Sequence, residues 1–410
     1  MKKFPTRLIG VFLTVVMIAA LFSIVPVNAA DANHNGTLTV TDVVIARNDL
    51  LSDTTLDSYN QKSVTLNQID YRIVGCKNVT GEGTNNETVK LTTPAAGFVV
   101  NVNAIGDVAF KLSGGANNYI TVLVDGEEID RQLGASGNVV VAQDLEPGIH
   151  EIGVYTQTEG QTLTVSGLSF CGETDEIDDG DLMIEFIGDS ISAAFGNLWD
   201  QSTLGNQNAT RHQNTFWGYG PIVARTLGAN YAMLCTSGSV LINDPACSNT
   251  GSMQKKYNAS YYANNRKADI TFISLGGNDC KVLPYMFDTE AEQVEFFTNQ
   301  AMIFARTIAA ANGPNAKIVF WQSGGLDYAT YRASHYPAEA KAVEGYNSIR
   351  KAYTKAVEEL AKEGITAYLA PDTPCDIRGL YIHPLVDGVG GHKDIAERIV
   401  TFLKENVINN

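Results

Sequence analysis

The feature that most constrains this chain is a change of hydrophobic rhythm at Leu182. Beyond it, short apolar runs alternate with stretches of helical period. Met183–Ile187 is followed by Thr215–Leu227, Asp269–Leu275 by Glu290–Ala311, Lys317–Trp321 by Glu339–Glu363, and Ile365–Leu369 by Asp394–Glu405. Strand–helix alternation of this kind predicts an α/β domain, a parallel sheet covered by helices on both faces. Ligands bind such sheets outside the carboxyl ends of the strands, so the chemistry is sought just after each apolar run. Before Leu182 the rhythm is different. From Val64 to Cys171 the apolar runs are short and have period two: Ile69–Val74, Gly97–Val102, Val108–Leu112, Tyr119–Val124, Val139–Val141, His150–Tyr155 and Leu163–Phe170. Asp125-Gly126 and Pro147-Gly148 read as turns. This pattern predicts an all-β sandwich or jelly roll. The stretch from Glu173 to Asp181 carries six acids, and a like-charge run of that kind is a solvated connector.

The N-terminus has its own layout. Lys2, Lys3 and Arg7 precede an apolar run from Leu8 to Val25, and small residues follow at Ala29 and Ala30. That is the order of a secretory signal peptide, so cleavage near Ala29 and export are expected; an uncleaved anchor is the alternative. Removing those three cations takes the formal net charge from −16 to −19. So acidic a chain offers no basic surface for nucleic acid. All six cysteines lie beyond the signal. Cys76 and Cys171 bracket the β-rich region and Cys235 and Cys247 could close a short loop, while free thiols are equally admissible. The expected division is therefore a signal peptide over 1–29, a polar loop and helix over 30–52, a linker over 53–66, a β domain over 67–172, an acidic connector over 173–181 and the α/β domain over 182–410.

The loop at 30–52 has a chemistry of its own. Asp31, Asn33 and Asn35 place oxygen side chains at positions 1, 3 and 5 of a twelve-residue frame. Gly36 falls at the turn, Thr37 offers its carbonyl, and Asp42 closes the frame. That is the EF-hand ligand order, and calcium is its expected occupant. The segment is similar to one repeat of a dockerin, which implies a cohesin scaffold as partner. A dockerin uses two such repeats and this sequence shows one, with Asp42 the sole terminal carboxylate. The alternative is a chance cluster of Asn, Asp and Gly.

In the α/β domain the strand ends carry the chemistry. The first apolar run ends in Gly188-Asp189-Ser190-Ile191-Ser192, and Tyr231–Leu234 is followed by Ser237-Gly238-Ser239. Asp269–Leu275 runs into Gly276-Gly277-Asn278-Asp279, and His383-Pro384 stands near the end. A serine nucleophile needs a base to take its proton and fixed donors for the oxyanion formed when a carbonyl is attacked. Ser190 suits the nucleophile and its N–H a donor. The Gly238 N–H is a second donor with no side chain in the way, and the Asn278 amide a third. His383 is the expected base, with His392, at the start of the last helix, as the competitor. Position 192 is Ser, so the chain lacks the GxSxG elbow of an ordinary α/β-hydrolase. Among aromatics, Trp321 ends a strand and Trp199 follows the nucleophile, so both are candidates to stack on a sugar ring. Trp217 reads as core.

These four blocks, in this order, resemble the SGNH (GDSL-like) hydrolase superfamily. With a jelly roll ahead of it, the chain is similar to carbohydrate esterase family 2. Local phrases agree, among them Val122-Leu123-Val124-Asp125-Gly126, Pro147-Gly148-Ile149-His150 and Thr158-Glu159. The resemblance implies a secreted enzyme that removes acetyl groups from plant cell-wall polysaccharides such as xylan and glucomannan. It implies an acetyl-enzyme on Ser190 and no cofactor for the chemistry. Position 380, where many SGNH enzymes carry the triad Asp, is Leu380. The resemblance then implies a Ser–His dyad whose imidazole is oriented by a backbone carbonyl, with Asp372 or Asp376 as alternative partners. Two other readings remain open at this level. One is an SGNH hydrolase acting on peptidoglycan acetyl groups or lipid esters; the other is a glycan-binding protein with an inert hydrolase fold.

Overall fold

The computed structural model describes residues 61–114, 119–133, 136–198, 212–244, 251–257, 267–378, 381–382 and 388–409. The signal segment, the Asp31–Asp42 loop with Asn33, Asn35 and Thr37, and the positions of Trp199, Cys247, Leu380 and His383 lie outside the described residues.

Nine antiparallel strands form the β domain: β1 (Gln61–Val64), β2 (Arg72–Val74), β3 (Val79–Thr80), β4 (Thr88–Leu91), β5 (Gly97–Gly114), β6 (Tyr119–Val124), β7 (Glu127–Leu133), β8 (Gly137–Thr156) and β9 (Leu163–Asp175). The path β3-β4-β9-β5-β8-β6-β7 runs through one sheet, with β1 beside β9 and β2 beside β5. It encloses a core that includes Phe98, Val100, Phe110, Val122, Val154 and Phe170. The domain begins earlier and ends later than the sequence pattern suggests. β1 falls in the expected 53–66 linker, and β9 continues to Asp175 into the expected acidic connector. A paired strand tolerates charges on its solvent face, so composition alone misplaces that boundary.

Two long strands also replace four short ones. The runs at 97–102 and 108–112 are one strand, β5, and those at 139–141 and 150–155 are one strand, β8. The breaks between them are bulges. Register shifts occur at Ala104/Gly106 and Gly106/Val108. Gly106 and Asp144 stand at φ 74° and 52°. Pro147-Gly148 therefore lies inside β8, with Gly148 opposite Ala104, and is no turn. A bulge uses the same residues as a turn but bends the strand instead of reversing it. Asp125-Gly126 does reverse the chain, with φ 53° and 83°, the left-handed pair that a two-residue hairpin needs.

The second domain holds five parallel strands in the order β11-β10-β12-β13-β14. They are β10 (Met183–Gly188), β11 (Asn230–Cys235), β12 (Ile270–Leu275), β13 (Lys317–Gln322) and β14 (Ala367–Leu369). A two-stranded ribbon of β15 (Ile377–Arg378) and β16 (Tyr381–Ile382) follows. The helices are α1 (Tyr219–Thr226), α2 (Met253–Tyr257), α3 (Leu283–Met286), α4 (Glu290–Asn312), α5 (Gly325–His335), α6 (Ala342–Lys362) and α7 (His392–Leu403). One sheet face packs on α1 and α7 through Phe186, Tyr219, Phe272, Trp321 and Ile395. The other packs on α4 and α6 through Ile187, Ile273, Phe297 and Tyr353.

The β domain sits against the first of these faces. Tyr155 and Phe216 meet at 4.7 Å between ring centroids. Tyr231 Oη donates to the Ala95 carbonyl at 2.9 Å, and Thr215 N donates to the Gln157 carbonyl at 2.8 Å. Cys76, Cys171, Cys235, Cys280 and Cys375 are buried, and the bridge suggested between Cys76 and Cys171 is not made; the loop suggested for Cys235 and Cys247 falls outside the described residues.

β10 is the first strand of its sheet and lies between β11 and β12. The chain leaves β10 toward one edge of the sheet and leaves β12 toward the other. The crevice between their carboxyl ends is therefore the topological switch point at which such sheets bind ligands.

Candidate active site

Three of the four sequence blocks meet at that crevice. Gly188 ends β10, and a Cβ there would come within 1.9 Å of Ser192 Oγ, so the close turn admits no side chain. The chain then folds into tight turns. Ala193 N donates to the Asp189 carbonyl at 3.0 Å and Phe195 N to the Ser190 carbonyl at 2.9 Å. This leaves Ser190 half-buried at the mouth of the crevice while Asp189, its neighbour, is buried beneath it.

Asp189 ties the strand ends together. Its Oδ1 accepts from Ile191 N at 3.0 Å. Its Oδ2 accepts from Ser323 Oγ at 2.7 Å, beyond β13, and from Asn278 Nδ2 at 3.3 Å, beyond β12. Burial lifts its carboxyl to about 6, against the pull of the Ser323 hydroxyl and the Ile191 N–H. At pH 7 it is a carboxylate held by three donors.

Asn278 is the hinge of the arrangement. The same Nδ2 donates to the Ser239 carbonyl at 3.0 Å, next to Gly238. One amide thus touches the flanks of both other blocks. Its orientation is fixed from behind: Lys281 Nζ donates to Asn278 Oδ1 at 2.8 Å. An ammonium can only donate, so Oδ1 faces Lys281 and the NH₂ must face the crevice. Gly238 stands at φ +77°, a conformation that L side chains rarely adopt, which is why the loop carries glycine there. Asp279 turns away from the crevice and accepts from Leu241 N and Ile242 N, each at 2.9 Å, holding the stretch that follows Gly238.

The structure thus brings Ser190, Gly238 and Asn278 together. His392, the competing base, starts α7 as expected. It is buried, and its Nδ1 accepts from Tyr219 N at 3.3 Å, which commits it to packing. Trp321 is a correction. It is fully buried between Tyr219 and Phe272 and cannot offer a face to a sugar. A strand end was expected to open onto the crevice, but Trp321 still lies within β13, packed on the face that α1 and α7 cover, and the site is reached only past the end of the strand, at Ser323. Trp217 packs against the core as expected, and its Nε1 donates to Glu128 of the β domain.

Sequence reasoning passed over Ser323, and it named Glu159 only within a phrase of the resemblance, without a role. Ser323-Gly324-Gly325 follows an apolar run, the same signal that marked the other blocks. Glu159 carries no local signal for its role. It sits in the β domain, and its carboxylate accepts from Ser237 N at 2.7 Å and from Ser237 Oγ.

Comparisons with known proteins agree with this architecture. Residues 186–390, half of the chain, match the model of the GDSL-like Lipase/Acylhydrolase family, and residues 82–177 match the Carbohydrate esterase 2 N-terminal domain. A cellulase/esterase, CelE, of Acetivibrio thermocellus is 28% identical over 35% of this chain and 18% of its own length. An acetylxylan esterase / glucomannan deacetylase of Cellvibrio japonicus is 25% identical over 33% of this chain and 41% of its own length. The matched region is thus well under two thirds of either relative. The solved structure of a family two carbohydrate esterase from Cellvibrio japonicus superposes with a TM-score of 0.65 at 16% identity, covering 84% of this chain and 98% of that one. The two-domain fold is therefore shared.

Proposed function

We propose, on the premise that this chain belongs to the GDSL-like lipase/acylhydrolase family and carries a carbohydrate esterase 2 N-terminal domain, that it is a carbohydrate acetyl esterase. Its substrates on this reading are acetyl esters of plant cell-wall polysaccharides, xylan and glucomannan, and the enzyme works outside the cell. The observation that carries the proposal is the double contact of Asn278 Nδ2, to Asp189 beside Ser190 and to Ser239 beside Gly238.

Ser190 Oγ attacks the acetyl carbonyl, and His383, the residue after β16, takes its proton. The carbonyl oxygen becomes an oxyanion facing the N–H groups of Ser190 and Gly238 and the amide of Asn278. Both hydrogens of that amide are already engaged. The 3.3 Å contact to Asp189 is the longer, and is the one to be exchanged for the oxyanion. The sugar alkoxide leaves with the proton from His383. Water, deprotonated by the same base, then releases acetate. A calcium ion on the Asp31 loop would lie apart from these steps, and a cohesin partner would act on location only.

The test is acetate release from acetylated xylan and acetylated glucomannan by the full chain and by Ser190→Ala, with and without EDTA. Release should fall at least about 10³-fold in the variant and be unchanged by EDTA. Cleavage of p-nitrophenyl acetate with neither polymer touched would retain the mechanism and sink the substrate class.

A further inference from the structure

The oxyanion loop of this domain is held from outside the domain. Residues 236–239 carry Gly238. Inside the loop, Ser239 N donates to the Thr236 carbonyl at 3.1 Å. Three ties come from the α/β domain: Thr236 N donates to the Gly188 carbonyl at 3.2 Å, Lys256 Nζ donates to Ser239 Oγ at 2.9 Å, and Asn278 Nδ2 donates to the Ser239 carbonyl at 3.0 Å. The last two grip the loop on the C-terminal side of Gly238. On the N-terminal side the Glu159 carboxylate, from the β domain, accepts both the N–H and the hydroxyl of Ser237.

The segment that presents Glu159 is itself rigid. Gln161 Oε1 accepts from Gln157 N at 3.2 Å and from Thr158 N at 3.1 Å, closing a tight turn through Gly160 at φ +77°. Gln157 is buried. Its Nε2 donates to Thr121 Oγ1 at 2.8 Å, and its carbonyl accepts from Thr215 N of the other domain. The turn is thus seated in the α/β domain by main chain before the carboxylate reaches Ser237. Glu159 also lines a cleft of about 830 Å³ between the domains, together with Thr236 and Lys256.

We propose that Glu159 is a positioning residue. By fixing the N–H and the side chain of Ser237, the residue that begins the peptide carrying the Gly238 N–H, it sets the direction of that N–H, so the β domain completes the oxyanion hole in addition to shaping the surface. This rests on the reading of Gly238 as an oxyanion donor. That N–H lies in the Ser237–Gly238 peptide, and Ser237 is the loop residue that the β domain grips by both its N–H and its hydroxyl. Displacing a transition-state donor by about 1 Å costs of the order of 10²-fold in rate.

The experiment uses the full chain with p-nitrophenyl acetate. It also uses methylboronic acid, whose adduct on Ser190 mimics the tetrahedral intermediate. Glu159→Ala should lower kcat by about ten- to a hundredfold with KM within about twofold, and weaken boronate inhibition by the same factor as kcat. Glu159→Gln keeps an oxygen for the Ser237 N–H and a donor for its hydroxyl, and should recover kcat to within about threefold of wild type. If Glu159→Ala does not fold, Glu159→Asp, which draws the carboxylate back by one methylene, takes its place with the same expectation. Ser190→Ala in the same assay separates the two claims. An active Ser190→Ala removes the underlying mechanism. With Ser190→Ala inactive, a wild-type kcat in Glu159→Ala, a loss carried by KM with boronate affinity intact, or an equal loss in Glu159→Gln would each overturn the positioning role.

Discussion

The middle and the end of β10 each bury a carboxyl group, and the two have different fates. Glu185, in mid-strand, lies among Thr271, Tyr257 and Asn312 on the face covered by α2. Burial lifts it to about 8, against the weak pull of those hydroxyl and amide donors. At neutral pH it is mostly a protonated acid. Asp189, four residues on, is equally buried but is lifted only to about 6. It receives a backbone N–H, the Ser323 hydroxyl and the Asn278 amide, with the Lys281 ammonium beyond. Burial raises both, and each has three donors; what sets Asp189 apart is that a backbone N–H and the nearby Lys281 ammonium are among the groups that favour its charge. The strand interior is built for packing, whereas its carboxyl end is built to hold a fixed negative charge beneath Ser190, the proposed nucleophile. That charge has a use, because it orients Asn278 and fixes the turn that carries Ser190.

The contrast breaks first at Asp189. In Asp189→Asn one of the two oxygens becomes an NH₂ that must face donors. The tie between the ends of β10, β12 and β13 is then lost. Activity should drop about 10²-fold in kcat, with little change in KM and a small change in Tm. Steady-state kinetics beside a thermal melt check this, and a drop confined to Tm would make the carboxylate merely structural. Lys281 comes next. Lys281→Met keeps the aliphatic stem but removes the donor that turns the Asn278 amide toward the crevice. A loss of about tenfold in kcat is expected, and unchanged kinetics would mean that the contacts with Ser239 and Asp189 suffice to orient the amide.

The same strand explains what could be read from the sequence. The switch from period two to strand–helix alternation gave both domain classes. A Gly-polar block after each apolar run gave Ser190, Gly238 and Asn278, because a tight turn at a strand end demands small residues whatever the sequence around it. Features that depend on two distant segments were not legible. Pro147-Gly148 read as a turn, although the pairing of β5 with β8 places it inside a strand. Trp321 looked accessible because it ends a run, yet helices packed on that face of β13 cover it, and the site begins only beyond the strand, at Ser323. Glu159 touches Ser237, 78 positions away, and no local pattern announces such a contact. Glu185 sat unnoticed within an apolar strand because its partners come from β12, α2 and α4.

Glu185 also supplies the smallest and most directional effect. Its carboxyl titrates near 4.5 in an unfolded chain and near 8 in the fold. Between those values the folded state keeps a proton that the unfolded state has released. Stability from this group is therefore intact below about pH 4.5 and declines as pH rises toward 8. Glu185→Gln has nearly the same shape, keeps an acceptor for Thr271 Oγ1 and cannot ionise. Its melting temperature should match wild type at pH 4 and exceed it at pH 8 by about 5 °C, with kcat at pH 8 unchanged. An equal shift at the two pH values would mean that the gain comes from packing and not from the proton. A loss at pH 8 would mean that Glu185 is ionised in the fold, and the two ends of the comparison on β10 would collapse into one.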